Sequence, residues 1–318
     1  MLPVYYVCPD IPVPVGGTKV MYDHVTQLAG MGVPAAVVHE RAGFRCTWFA
    51  SDARVIDYAS LDFCRPGILV IPETLGINSP IWGVPQPKVI FNQNAFNTFY
   101  DFPLTQTNIE WFYNRRDVLG CMVVSESDEN LMRALFPSLF VSRVRNCVDG
   151  GVFQPTPKHP VIAYMPRKNR LHAVAVVNAL RARGRCSHYR FLPLHGLALA
   201  DVAAALGSSM LFLSFGGPEG FGLPVAEAIA CECFVVGYSG VGGRELFRLK
   251  TTEEVEYGDV GYFVEAVEKV SRDLDEANDG LADELALSRR SIIDTYSYAN
   301  QSTDLTVAWK EFFRRTAI

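Results

Sequence analysis

The stretch from Leu211 to Glu245, LFLSFGGPEGFGLPVAEAIACECFVVGYSGVGGRE, constrains the fold of this chain more than any other. Met210 to Phe215 is apolar on both faces, the pattern of a strand in the middle of a parallel sheet. A glycine-rich turn, Gly216 to Gly222, follows it. Pro224 then falls in the first turn of a predicted helix, where its missing N–H costs nothing. The helix ends near Cys231, and a second apolar strand, Cys233 to Tyr238, leads into a glycine turn at Gly240, Gly242 and Gly243. Strand, glycine loop, helix and strand make the unit that aims helix N–H groups at an anion above the carboxyl edge of a sheet.

Two carboxylates sit in this unit, Glu219 in the loop and Glu227 in the helix. A diphosphate at the helix N-terminus would repel both, so they are better suited to accept hydrogen bonds from sugar hydroxyls on either side of it. The run EGFGLPVAEA between two apolar strands, followed by VGGRE, resembles the donor-site signature of retaining GT-B glycosyltransferases, the large family 4 group. The plain alternative is an α/β crossover carrying two solvated glutamates. The resemblance implies that Glu219 and the backbone at Phe221 and Gly222 contact the transferred sugar. It further implies that Glu227 holds the nucleotide ribose, with Leu223, Gly242 and Gly243 in the same donor site. One position departs from the pattern: Glu232 stands where the family has Gly. If the chain turns left-handed there, that residue stores on the order of 1 kcal/mol of strain.

A length of 318 residues suggests two domains, each able to bury a core. Charged residues make up 20% of the chain and the net charge is −5, which argues against a general binder of nucleic acid or anionic membrane. No apolar run approaches the roughly 20 residues needed to cross a bilayer, and the chain starts directly on a strand, so a cytoplasmic protein is expected. The eight cysteines are scattered through apolar runs without metal-ligand spacing and read as reduced, buried thiols.

Along the chain, strands are expected at Val4–Cys8, Val33–Glu40, Ala53–Tyr58, Gly67–Ile71, Pro87–Phe91, Cys121–Val124, Phe140–Arg145, Val161–Tyr164 and Phe191–Leu194, with a weaker segment at Thr47–Phe49. Gly16, Gly17 and Thr18 open a helix to about Ala29. A dinucleotide-binding reading of this turn fails because there is no G-x-G-x-x-G. The GG turn resembles the one that faces the donor in the GT-B family, with helix N–H groups available to phosphate. Glu73 ends a strand on the carboxyl side of the sheet and reads either as an acceptor-side carboxylate or as a solvated loop acid. At Asn92, Gln93 and Asn94 the family often has a histidine that touches the donor sugar. Amides can still meet hydroxyls, which makes Asn94 a candidate sugar contact. The aromatics Phe96, Phe99, Tyr100 and Phe102 suit either an acceptor platform or core packing.

RNCVDGGVFQP (Arg145 to Pro155) resembles the family's crossing into its second domain, and Gln154–Pro160 is the best linker candidate. Arg167, Lys168 and Arg170 cluster at a strand-to-helix turn where the family's Arg and Lys grip the nucleotide diphosphate; the spacing is compressed, so which of the three meets phosphate stays open. His195 ends a strand near the place of the family's base-binding loop and reads as structural. Helices are expected at Leu171–Arg183, Asp201–Leu206, Val260–Leu274 and Asp279–Tyr296. Asp273 and Asp275 mimic a metal-binding DxD, but on a helix they point about 200° apart. The segment Tyr298 to Phe313, with Trp309, Phe312 and Phe313 at helical spacing, resembles the terminal GT-B helix that packs back on the first domain.

The expectation is therefore an α/β chain of two Rossmann-like, doubly wound domains facing a cleft: 1–150 on the acceptor side, 151–296 holding the donor, 297–318 returning to the first. The resemblance implies a retaining transfer of sugar from a nucleotide diphosphate sugar to an acceptor hydroxyl. Glu219, Arg167 and Lys168 would be at the reacting centre, with no metal and no cofactor beyond the nucleotide-sugar co-substrate. The acceptor is open, a modified nucleic acid included. Two rivals are a nucleotide-sugar isomerase or phosphorylase on the same scaffold and a non-catalytic nucleotide-sugar-binding module.

Overall fold

The computed structural model describes residues 1–76, 79–100, 113–276 and 279–316. The chain divides into two compact units: Met1–Asn146 with Ala299–Ile318, and Cys147–Tyr298.

The first unit is built on a seven-stranded sheet of β1 (Val4–Val7), β2 (Ala35–His39), β3 (Val55–Asp57), β4 (Ile68–Pro72), β5 (Lys88–Asn92), β6 (Val118–Val123) and β7 (Val141–Arg143). Their order is β3-β2-β1-β4-β5-β6-β7 and every pairing is parallel. Each residue of β2, β4 and β5 is buried, the polar ends His39, Lys88 and Asn92 included, as expected of strands covered on both faces. Helix α1 (Gly16–Gly30) follows β1, and α2 (Glu126–Leu135) starts at Ser125, whose hydroxyl accepts the Asp128 N–H at 3.1 Å.

The weak segment Thr47–Phe49 is not a strand: its aromatics form a cover, with Trp48 edge-on to Phe49 and Phe49 edge-on to Tyr22. Ala53–Tyr58 contracts to β3 because Asp57 caps a short 3₁₀ turn, accepting the Ser60 N–H at 2.9 Å. The other strands expected in this unit form within a few residues of their sequence limits.

The second unit carries β8 (His159–Tyr164), β9 (Arg190–Pro193), β10 (Ser209–Phe215), β11 (Phe234–Tyr238) and β12 (Thr252–Glu254), ordered β12-β11-β10-β8-β9 and again all parallel. The polar edge strand β12 carries no apolar signal and escaped the sequence reading. The helices are α3 (Arg170–Arg183), α4 (Leu199–Ser208), α5 (Leu223–Ala230), α6 (Val260–Asp275) and α7 (Asp279–Thr295). Helix α5 is apolar nearly all round and lies between the sheet and α7.

Gln154–Pro160 is not a linker. Thr156 donates its N–H to Gly207 at 3.0 Å, and Lys158 Nζ donates to the carbonyls of Ser209 (2.8 Å) and Cys231, tying the segment into the second unit. The division between units falls earlier, at Asn146, inside RNCVDGGVFQP.

The last helix, α8 (Tyr298–Arg315), joins the first unit from Ala299 onward. It buries Leu305, Ala308, Trp309 and Phe312, with Phe312 edge-on to Phe140. The Asp304 carboxylate accepts from Nε and Nη2 of Arg145, at 2.7 and 2.8 Å, and Gln301 Nε2 donates to the Arg145 carbonyl at 2.9 Å. Among the described residues no helix is long and apolar enough to cross a membrane.

Candidate functional site

In an open parallel sheet the crevice for a ligand lies at the carboxyl ends of the strands, where the chain reverses its direction of winding. In the second unit the winding reverses between β8 and β10. The two loops at that point are the basic turn Arg167–Arg170 and the glycine loop Gly216–Gly222. They meet: Lys168 Nζ donates to Glu219 Oε2. Asn169, a residue the sequence reading passed over, pins one loop to the other. Its Nδ2 donates to the carbonyls of Phe215 (3.0 Å) and Gly216 (3.1 Å), and its Oδ1 accepts from the Tyr257 hydroxyl at 2.9 Å. An amide between two cations and a glycine loop has no motif signal, because its partners are distant in sequence.

The glycine loop is stitched to the turn after β11. Glu219 donates its N–H to the Gly240 carbonyl (2.9 Å) and accepts the Gly242 N–H at its own carbonyl (3.1 Å). At Gly242 a Cβ would collide with the carbonyl oxygens of Glu219 and Gly220, so only glycine permits the two backbones to lie this close. The N–H of Gly243 goes to Ser239 at 3.0 Å. Gly242 and Gly243 therefore spend their N–H groups inside the protein and shape the loop that carries Glu219. Between them and Gly240 stands Val241 with φ 68°, a β-branched residue in the left-handed region. Such strain costs about 1–3 kcal/mol and collects at functional loops.

Gly222, at φ 88°, is the residue before α5 and offers no side-chain cap, which leaves the first N–H groups of that helix without a side-chain partner from it. Phe221 turns its ring inward against Tyr296, 4.8 Å between centroids, so only its backbone faces the loop. Leu223 and Glu227 are half-buried on α5. Arg167 and Arg170 are exposed and, among the described residues, enter no ion pair; His195 is exposed at the end of β9. Glu232 is left-handed, φ 58°, immediately after α5. Asp275 receives the Tyr189 hydroxyl at 3.0 Å and His188 at 2.9 Å, a structural use of one member of the D-x-D.

In the first unit the winding reverses between β1 and β4. Gly16, Gly17 and buried Thr18 begin α1 after β1, and Val15 supplies no side-chain cap. Glu73 follows β4. Its Oε2 accepts the Gln93 N–H at 3.1 Å and its Oε1 the Asn97 amide at 3.4 Å. Burial pushes this carboxyl up to about 7 against those hydrogen bonds.

The three amides after β5 divide. Asn92 is buried and donates to Thr98 (2.8 Å) and Tyr113 (3.0 Å), a core role. Asn94 caps a 3₁₀ turn through its Oδ1, which accepts the Phe96 N–H at 3.2 Å. Gln93 reaches across to the GG turn, donating from Nε2 to the Gly17 carbonyl at 3.2 Å. Of the aromatics in this segment, Phe99 packs on Phe136 while Phe96 and Tyr100 are 46% and 84% exposed; Phe102 lies outside the described residues.

No family model matches the chain. An alpha-1,6-glucosyltransferase of Actinobacillus pleuropneumoniae serotype 7 (strain AP76) is 24% identical over 251 residues, 71% of this chain and 69% of that protein. Sucrose-phosphate synthase from Thermosynechococcus elongatus superposes with a TM-score of 0.71 at 12% identity, over 99% of this chain and 100% of that one. Anabaena HepE, solved with UDP and glucose, gives 0.67 at 13% identity over 98% and 100%. The two parallel sheets and these likenesses give the chain the GT-B fold of these glycosyltransferases.

Proposed function

We propose that the protein transfers a sugar from a nucleotide diphosphate sugar to an acceptor hydroxyl with retention of configuration and without a metal ion. The observation that carries the reading is the meeting of Lys168 and Glu219 at the winding reversal of the second sheet. A lysine that is 38% exposed gains at most about 1 kcal/mol from such a pair. A diphosphate offers it charge-assisted hydrogen bonds worth about 1.5–3 kcal/mol each. The pair is thus easily exchanged: on the proposed reading Lys168 turns to the diphosphate, and Glu219 is released toward the sugar.

The other roles follow from position. The N-terminus of α5 at Gly222 and the exposed Arg167 bring positive charge to the leaving group by fixed electrostatics, which is the work a metal would otherwise do. Glu227, held in α5, suits a ribose diol. Phe221, Gly222 and Leu223 line the donor through their backbone. In the first unit the resemblance assigns Gly16, Gly17 and Thr18 to the substrate, and Glu73 and Asn94 to sugar or acceptor contacts. HepE was solved with UDP and glucose and the curated relative is a glucosyltransferase, which favours a UDP-hexose as donor. The proposed setting is the cytoplasm.

A panel of UDP-, GDP-, ADP- and TDP-sugars, assayed in EDTA for release of free nucleotide with and without saccharide acceptors, tests the reading. Turnover of one donor with an α-linked product from an α-linked sugar is the expected result. Tight nucleotide-sugar binding with no turnover would identify a binding module instead. Turnover only after adding Mn²⁺ or Mg²⁺ would refute metal independence.

A further inference from the structure

The GG turn of the first unit is held by residues that no short motif connects to it. Gln93 Nε2 donates to the Gly17 carbonyl at 3.2 Å, and a Cβ on Gly17 would stand 3.1 Å from both the nitrogen and the oxygen of that amide. The amide therefore lies close against the glycine, and a side chain at residue 17 would press it back by a few tenths of an ångström. Gln93 is itself held at its backbone, where the Glu73 carboxylate accepts its N–H at 3.1 Å. The same carboxylate takes the Asn97 amide at 3.4 Å, closing the far side of the loop.

Three segments far apart in the chain are thus locked at the winding reversal of the first sheet: the start of α1, the end of β4 and the loop after β5. We propose that Gln93, clamped by Glu73, is a positioning residue for the transfer reaction: it fixes the Gly16–Thr18 turn at the start of α1 in the geometry that meets the substrate. This role rests on the function proposed above, because it assigns that turn to the substrate.

Val15 offers α1 no side-chain cap, and Gln93 supplies a restraint on the turn from across the sheet. Misplacing a substrate-facing element by about 1 Å can cost up to about 10²-fold in rate while leaving the fold intact.

The test compares Gln93→Ala and Gln93→Met in the full chain with wild type. Gln93→Met keeps the bulk against Gly17 and removes the donor. Three quantities are read: kcat and KM for the nucleotide sugar that wild type turns over, the Kd of its nucleoside diphosphate by titration, and hydrogen exchange of the amides of residues 16–21. The expected result is a fall of about tenfold or more in kcat for both variants, Kd within about twofold of wild type, and faster exchange at the turn. Wild-type kcat in Gln93→Met would overturn the proposal, since bulk alone would then suffice. Unchanged exchange in both variants would overturn it whatever the activity. A parallel loss in Kd and kcat would also overturn it, as the effect would not be confined to positioning. If wild type turns over no nucleotide sugar, the proposed function fails first and this role falls with it. If wild type is active and Gln93→Ala is equally active, only this inference fails.

Discussion

The two winding reversals of this molecule are built from opposite materials. In the second unit a lysine and a glutamate meet across two loops, on glycines that let backbones approach closely. In the first unit the restraint is an amide against a glycine, backed by one half-buried carboxyl. The difference teaches what each place is suited to do. An ion pair whose lysine is 38% exposed is cheap to break and can offer its charge to a ligand, whereas amide contacts to backbone hold a turn without binding charge. One region is poised to exchange partners and the other to stay put.

Four substitutions sharpen or break that contrast, taken from the largest expected effect to the smallest. Glu219→Gln should lower sugar transfer by about 10²-fold or more and leave nucleoside diphosphate affinity nearly intact, the sign of a contact made mainly in the transition state. Steady-state turnover beside a nucleotide titration checks it, and normal turnover would remove Glu219 from the reacting centre. Gly242→Ala drives a methyl into the carbonyls of Glu219 and Gly220 and should cost about 3 kcal/mol of stability, read by denaturant unfolding.

At Glu73 the effect depends on pH. Its ordinary value of 4.5 is raised to about 7, so the folded protein keeps that proton where the unfolded chain has lost it. The contribution to stability is full below 4.5 and is lost as pH rises through 7. Glu73→Gln carries no such loss. Relative to wild type it should gain on the order of 2–3 kcal/mol between pH 4.5 and pH 8, measured by denaturant unfolding at both values. A gain that is flat with pH would mean that the carboxyl is not held neutral. Glu232→Gly, at φ 58°, should be smallest, raising stability by about 1 kcal/mol with activity unchanged.

The second reversal was more legible in the sequence than the first, for a physical reason. Strand, glycine loop and helix from Met210 to Ala230 are contiguous, and buried parallel strands announce themselves as unbroken apolar runs, so the fold and the place of Glu219 could be read directly. The strained turn at Glu232 could be read too, as a residue standing where a left-handed backbone prefers glycine. Asn169, Gln93 and the inward ring of Phe221 could not, because their partners lie on other segments: Asn169 against Phe215 and Tyr257, Gln93 against Gly17 and Glu73, Phe221 against Tyr296. Pattern reports which residues share a strand or a helix. It does not report which loops a sheet brings side by side. The polar strand β12 was lost for a related reason, since its place comes from the ladder with Val235–Gly237 and not from its own composition. Gln154–Pro160 misled in the opposite way: its prolines suggested a linker, and its hydrogen bonds to Gly207, Ser209 and Cys231 fold it into the second unit.

The exchange of Lys168 between Glu219 and a diphosphate is the centre of this account, and one titration tests it most directly. Wild type and Lys168→Ala are titrated in EDTA with a nucleoside diphosphate and with the corresponding nucleoside. The account predicts that the substitution weakens the diphosphate by about ten- to over a hundredfold and the nucleoside by less than about twofold. Equal losses for the two ligands, or diphosphate binding that appears only with a divalent cation, would contradict it.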